Sequence, residues 1–394
     1  MDFNFTPEEE AFRQELRAWL QSHLPAGYDP KHFDDIDADA RFEYQRAWQK
    51  TAHQDRWVGI HWPEEYGGRN ASLMEMFIFN QELNRAHAPR FANTLGLMMS
   101  GPTLIHWGTE EQKQRYLPRI LSGDEIWCEG LSEPGAGSDL ASMQTRAVED
   151  GDYFVINGQK VWTSFAHRAD FIQLFVRTDP DAPKHRGISC LAVDMKTPGV
   201  TVRPLVQITG DSEFNEVFFE EVRVPKTNLI GPKNEGWKVL VTTLMHERAG
   251  IGSGLPVHRQ FSELLKVSKE LEINGQPACE DPAVRQQLAQ FAIECKAITY
   301  NMFRGFSKRL KGNPPGPEGS VNKLAGSELN MRLARFATEL LGPYAQLEQG
   351  SPYTIDNGRW PRAALWYRLL TIGGGTSEIQ KNILGDRVLG LPKG

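Results

Sequence analysis

Hydrophobic positions change their period twice along the chain. Near the start, Phe12, Leu16, Trp19 and Leu20 recur at the three- and four-residue spacing of one helix face. In front of them Thr6, Pro7 and Glu9 supply an N-cap, a proline at the first helical position and the third-residue partner of a capping box. Helical texture continues past proline and glycine punctuation at 61–68 and 100–102, and 110–116 reads as the charged start of another helix. Residues 1–125 are expected to form a helical unit.

From residue 126 the apolar runs shorten. Tyr153-Phe154-Val155-Ile156 and Gln159-Lys160-Val161-Trp162 flank Asn157-Gly158, which predicts a hairpin turning at that dipeptide. Further strands are expected at 171–176, 188–194, 200–206 and 215–224, with a polar, proline-containing loop over 178–187. Residues 126–234 therefore read as a β domain. The helical period returns at Trp237 and holds over 235–394, broken by Gly- and Pro-rich loops at 274–282 and 312–319. Helices, then strands, then helices imply an α+β fold with segregated elements. No Gly-x-Gly-x-x-Gly follows a strand, which argues against a Rossmann nucleotide site.

Composition narrows the function. The chain has 394 residues, 40% hydrophobic and 24% charged, the balance of a soluble protein of two or three packed units. A net charge of −6 and the absence of any basic run speak against a nucleic-acid partner or a membrane-surface tether. No stretch approaches the roughly 20 apolar residues of a membrane span. The first ten residues lack the basic start and apolar core of a signal peptide, so the expected location is cytoplasmic. Cys128, Cys190, Cys279 and Cys295 form no CxxC pair and read as reduced thiols; the ten histidines form no HxxxH or HExxH pattern, so no metal site is expected.

Three segments carry candidate chemistry. Leu131-Ser132-Glu133-Pro134-Gly135-Ala136-Gly137-Ser138-Asp139 combines small residues with two hydroxyls, so its backbone could approach an anionic ligand closely. A plain surface turn would explain the same residues. Trp162-Thr163-Ser164 places a large aromatic beside two hydroxyls, which suits a flat heteroaromatic ligand; a strand-end tryptophan packed into a β core is the alternative. Gly373-Gly374-Gly375-Thr376-Ser377-Glu378-Ile379-Gln380 leads a glycine run into a helix, with Ser377 and Gln380 as a capping box. It is either an anion site at a helix N-terminus or a flexible turn.

Taken together and in this order, the three segments resemble the acyl-CoA dehydrogenase family over essentially the whole chain. His106-Trp107-Gly108-Thr109-Glu110-Glu111-Gln112-Lys113, Asn157-Gly158-Gln159-Lys160-Val161-Trp162 and Val222-Arg223-Val224-Pro225 match as well. The resemblance implies an N-terminal helical domain, a middle β domain and a C-terminal four-helix-bundle domain, with FAD as cofactor. It implies flavin contacts at Leu131, Ser132, Gly137, Ser138, Trp162, Thr163 and Ser164, and further cofactor contacts at Gly375, Thr376 and Glu378. Ser138 also matches a position near the CoA chain, and Arg248 a substrate-side arginine.

The implied reaction removes an α-proton with a carboxylate and passes hydride from the β carbon to flavin N5. Many family members carry that carboxylate directly before the C-terminal Gly-Thr, where this chain has Gly374. A second subgroup places it on the first C-terminal helix before an arginine, which here is Glu247 ahead of Arg248. Leu240, Leu244, Glu247 and Ile251 share one helix face, and a carboxylate on an apolar stripe has its pKa raised toward the working pH. A rim glutamate paired with a surface cation is the plainer alternative. By resemblance, a helix-borne base with the Gly-Gly-Gly-Thr-Ser-Glu-Ile-Gln ending suggests branched or ring-bearing acyl chains, including steroid side chains.

The implied partners are an acyl-CoA substrate, an electron-transferring flavoprotein and a homologous subunit in a tetramer. Family tetramers commonly complete each FAD site with an Arg-x-x-Phe-Gly segment and a Gly-Gly-x-Gly stretch of the neighbour. Here these positions read Val257-His258-Arg259-Gln260-Phe261-Ser262-Glu263-Leu264, where the glycine is missing, and Leu341-Gly342-Pro343-Tyr344-Ala345, which favours an α2β2 heterotetramer over a homotetramer. A non-catalytic FAD-binding subunit and an acyl-CoA oxidase are the competing functions; oxidase chains are usually much longer.

Overall fold

The computed structural model describes residues 5–25, 28, 33, 36–251, 255–313 and 316–392, with the backbone alone at 247–251, 255, 256 and 318. The fold is α+β. Two compact units form: Met1–Leu205 with Ser212–Thr243, and Val206–Asp211 with Leu244–Gly394.

The first unit opens with helices α1 (Pro7–His23), α2 (Ala38–Gln54) and α3 (Leu73–Arg85). The capping box at Thr6 and Glu9 is present, and the stripe of Phe12, Leu16, Trp19 and Leu20 is buried as expected. A π-helical turn, Gly96–Ser100, leads into α4 (Gly101–Trp107), and α5 (Glu110–Ser122) also starts from a capping box, at Thr109 and Gln112. Eight strands follow: β1 (Trp127–Gly130), β2 (Arg146–Asp150), β3 (Tyr153–Ser164), β4 (Phe171–Arg177), β5 (Ile188–Asp194), β6 (Val200–Leu205), β7 (Phe214–Pro225) and β8 (Leu229–Ile230). They form one sheet ordered β6-β7-β3-β2-β4-β5-β8, with β1 parallel to β4. One cluster of its core gathers Phe154, Ile156, Ile172, Leu174, Leu191, Val217 and Phe219.

Asn157-Gly158 does not turn the chain. It lies inside the continuous 12-residue strand β3. The hairpin before it turns at Gly151-Asp152, with Asp150 opposite Tyr153 and Gly151 at φ +57°. Asn157 instead serves a register shift against β7: its side-chain amide donates to Glu221 Oε1 at 2.7 Å and its Oδ1 accepts from the Glu221 N–H at 2.9 Å. Gly158 is needed because a Cβ there would lie 2.7 Å from the Thr145 Cα. The dipeptide satisfied the composition of a turn, but tertiary pairing on both edges of β3 overrode it.

Helix α6 (Gly236–Ile251) begins in the first unit, where Thr243 Oγ1 accepts from Gln173 Nε2 of β4 at 3.0 Å and lies 2.9 Å from Thr103 Oγ1 of α4. The second unit contains α7 (Leu255–Glu270), α8 (Pro282–Leu310), α9 (Glu318–Leu341), α10 (Arg359–Trp366) and α11 (Ser377–Arg387). Leu264, Phe291, Cys295, Leu329, Leu333 and Trp360 pack within it. Part of the expected 274–282 loop is a miniature hairpin, β9 (Glu272–Ile273) to β10 (Gln276–Pro277), turning at Asn274 (φ +54°) and Gly275 (φ +76°). Among the described residues no helix is long and apolar enough to cross a membrane.

Candidate cofactor site

The loop after β1 is built on a buried ion pair. Lys160 is 0% exposed on β3, and its Nζ donates to Glu133 Oε1 at 2.8 Å and to the Leu131 carbonyl at 3.0 Å. Glu133 accepts further from the backbone N–H groups of Gln144 and Thr145 at 2.6 and 2.9 Å. Burial pulls the Lys160 ammonium down to about 8 against the opposing pull of Glu133. Burial pushes the Glu133 carboxyl up, but Lys160 and these N–H donors outweigh it and hold it below the ordinary range. Reciprocal backbone bonds between Glu133 and Ala136 close the turn, and Val161 N–H donates to the Ser132 carbonyl at 2.9 Å.

Beyond this anchor the loop faces outward. Gly135, Gly137 and Ser138 are exposed, and a Cβ at either glycine would meet nothing within 4 Å. Neither packing nor a left-handed backbone requires glycine there, so room for an approaching ligand is the remaining physical reason. Among the described residues the Ser132, Ser138 and Ser164 hydroxyls have no hydrogen-bond partner in the chain.

Trp162 is not a core tryptophan. Its side chain is 61% exposed, and it sits at φ +61° where β3 shifts register against β7 between Lys160 and Thr163. A left-handed bulky residue costs about 1–2 kcal/mol and persists only where its surroundings hold it. Here Asn215 of β7 holds it, donating from its buried amide to the Thr163 carbonyl at 2.9 Å. Thr163 Oγ1 is buried without a hydrogen-bond partner. An aromatic face turned outward on strained backbone suits stacking by a planar ligand.

In the second unit the glycine run forms a fixed turn. Gly374 and Gly375 stand at φ +64° and +88°, conformations that favour glycine, and Gln380 Nε2 donates to the Gly374 carbonyl at 2.9 Å. Lys323 of α9, itself buried, donates to the Gly375 carbonyl at 2.6 Å. The N-cap of α11 is Thr376, whose Oγ1 accepts from Ile379 N–H at 3.2 Å. This corrects the expected capping box at Ser377 and Gln380 by one residue: Ser377 is already helical, and Gln380 turns back to the glycines. The Ser377 hydroxyl is buried with no hydrogen-bond partner. Glu378 in the first turn has its carboxyl held below the ordinary range by its own backbone N–H and by Thr376.

Glu247 and Arg248 lie on α6, one turn past Thr243, but their side chains lie outside the described residues. Leu240 on the same stripe is buried and Leu244 half-buried. Sequence reasoning missed Lys160, Glu133 and Lys323 as site supports. Lys160 was findable: it keeps the inward parity of Phe154 and Ile156, and a lysine on a buried strand face needs an acidic partner.

Two of the three segments hold a buried hydroxyl without a partner, Thr163 in the first unit and Ser377 in the second. Within the first unit, the outward Trp162 and the open glycine loop suit a planar ligand carrying phosphates. Comparison with known proteins agrees. Residues 6–124, 128–222 and 234–389 match the models of the acyl-CoA dehydrogenase N-terminal, middle and C-terminal domains. The chain belongs to the acyl-CoA dehydrogenase family of enzymes. It is 38% identical over 395 residues to the acyl-CoA dehydrogenase IpdE1 of Mycobacterium tuberculosis, covering 98% of each chain. Among solved structures it is similar to a chain of the ChsE4-ChsE5 complex of M. tuberculosis and to one of the Tcur3481-Tcur3483 steroid ACAD. Each superposes with a TM-score of 0.86 at 34% identity over the full length of both chains.

Proposed function

We propose that this protein dehydrogenates a bulky, branched or ring-bearing acyl-CoA, such as a steroid-derived thioester, between its α and β carbons. The observation that carries this reading is Trp162, an exposed aromatic on left-handed backbone directly before the two hydroxyl residues Thr163 and Ser164 of the motif that resembles the family's flavin contacts. FAD, when bound, supplies the hydride acceptor. Leu131, Ser132, Trp162, Thr163 and Ser164 receive and orient its ring, Gly137 and Ser138 leave space and donors beside it, and Gly375, Thr376 and Glu378 are further cofactor contacts. Glu247 takes the α-proton, and Arg248 sits on the substrate side. Likeness to chains of a steroid ACAD supports the substrate class.

The same likeness supports the assembly. Both similar structures are named for two proteins, and Arg259 is exposed on α7 without the glycine that follows in the family segment. We infer an α2β2 heterotetramer with a homologous subunit, a cytoplasmic setting, an electron-transferring flavoprotein as acceptor, and domains at 1–125, 126–234 and 235–394. The two-component likeness also favours a second reading, in which this chain is the non-catalytic FAD-binding partner. Anaerobic bleaching of the bound flavin by acyl-CoAs, straight, branched and sterol-derived, tests both. Bleaching that vanishes in Glu247→Gln of this chain supports catalysis here; bleaching that survives it assigns the base to the companion subunit.

A further inference from the structure

Lys160 has no place in the reaction as described, yet it is a fully buried ammonium that reaches both arms of the first unit's candidate site. One of its donors meets the Leu131 carbonyl and another meets Glu133. The peptide joining Leu131 to Ser132 is planar, with carbonyl and N–H on opposite sides. Fixing the Leu131 carbonyl toward Lys160 therefore fixes the Ser132 N–H in the opposite direction. The next peptide is fixed too, because the Ser132 carbonyl accepts from the N–H of Val161, the residue after Lys160. Two residues beyond Lys160 the same strand makes its register shift and turns Trp162 outward. Through Glu133, Lys160 also ties down Gln144 and Thr145 at the far end of the loop.

We propose that Lys160 is a positioning residue for the cofactor, locking the peptide planes at Leu131 and Ser132 to the strand that presents Trp162, so that both flavin-facing segments hold one fixed geometry. This rests on the reading of those segments as flavin contacts. A purely structural pair makes a different prediction. Replacing a buried ion pair by neutral groups of similar shape is often tolerated, whereas leaving one charge alone is strongly destabilising. Stability and cofactor binding therefore separate in a double variant.

The experiment compares wild type, Lys160→Met and the double variant Glu133→Gln with Lys160→Met, each as the full chain with any companion subunit. Thermal melting, FAD dissociation constant and the visible flavin spectrum are measured. The single variant is expected to melt earlier and to bind FAD about tenfold more weakly with a shifted visible band, the loss of one charge-assisted hydrogen bond. The double variant is expected to recover most of the melting temperature but not the affinity or the spectrum; if the single variant fails to fold, the double carries the comparison. Wild-type affinity and spectrum in the folded double variant would overturn the proposal while leaving the cofactor reading intact. A wild-type protein that binds no FAD would overturn both.

Discussion

The Lys323 ammonium lies 2.6 Å from the carbonyl oxygen of Gly375, and the same nitrogen reaches the Leu370 carbonyl at 2.9 Å. One buried cation on α9 therefore holds both flanks of the turn that feeds α11. Lys323→Met should free those carbonyls while keeping the side chain's bulk. The expected result is a loss of about 1–3 kcal/mol in stability, the cost of a broken charged hydrogen bond, read by denaturant titration. An unchanged midpoint would show that the turn holds itself.

Glu247→Gln should leave a folded protein that retains FAD and loses dehydrogenation by at least about 10²–10⁴-fold, because the amide keeps the shape but accepts no proton. Adding Gly374→Glu, the position of the base in many relatives, should not restore the rate. Gly374 stands at φ +64°, where a glutamate costs about 1–2 kcal/mol in backbone strain. Single-turnover flavin reduction measures both.

Trp162→Gly separates strain from function. Most of the side chain is exposed, so little burial is lost, and glycine accepts φ +61° freely. The flavin-free variant should melt at the same temperature as wild type or higher, while FAD affinity falls. A variant that melts well below wild type without FAD would mean that the ring contributes packing.

Ser132→Ala and Ser164→Ala each remove one hydroxyl without a partner in the chain and should cost little stability. The expected readout is a shifted flavin reduction potential or weaker FAD retention, with Glu247-dependent chemistry surviving. Unchanged flavin spectra and retention in both would place the cofactor elsewhere.

The Lys160 ammonium titrates near 8 in the fold and near 10.5 when unfolded. Between those values the unfolded chain binds more protons, so this group's contribution to stability rises with pH across the window. Below pH 8 the cost of burying the charge is fully present. The melting temperature of wild type relative to Lys160→Met should therefore climb from pH 8 to 10.5. A constant difference across that range would count against a titrating Lys160.

Two Asn-Gly pairs show what local sequence could and could not say. Asn157-Gly158 was the stronger turn signal, flanked by Tyr153-Phe154-Val155-Ile156 and Gln159-Lys160-Val161-Trp162, yet it sits within a strand paired on both edges. Asn274-Gly275, in a polar stretch read as loop, forms the tight turn with both residues left-handed. Long-range pairing decided the first and local geometry the second. Most of the remaining strands and the first helix were legible because alternation and capping are short-range. The cap of α11 was missed by one residue because Thr and Ser compete equally on composition. Lys160 and Glu133, 27 residues apart, meet only through the sheet, so spacing along the chain could not pair them. Trp162 as a residue was visible, but its exposure follows from a register shift that no local pattern records.

The chain passes between its two units more often than a linear domain map suggests. Residues Val206–Asp211, at the bend between β6 and β7, belong with the second unit. There Arg362 of α10 donates to Asp211 Oδ1 at 2.6 Å and to the Thr209 carbonyl at 3.2 Å. A fragment beginning near residue 235 would leave Arg362 without either acceptor, and one ending there would leave Asp211 and the Thr209 carbonyl without that guanidinium. The sequence can be cut into three named stretches, but the protein should resist being expressed as separate pieces. Co-expressed halves divided at residue 235 would each lack part of one unit: the first half holds Val206–Asp211 of the second unit, and the second half holds the stretch of α6 up to Thr243 that belongs to the first.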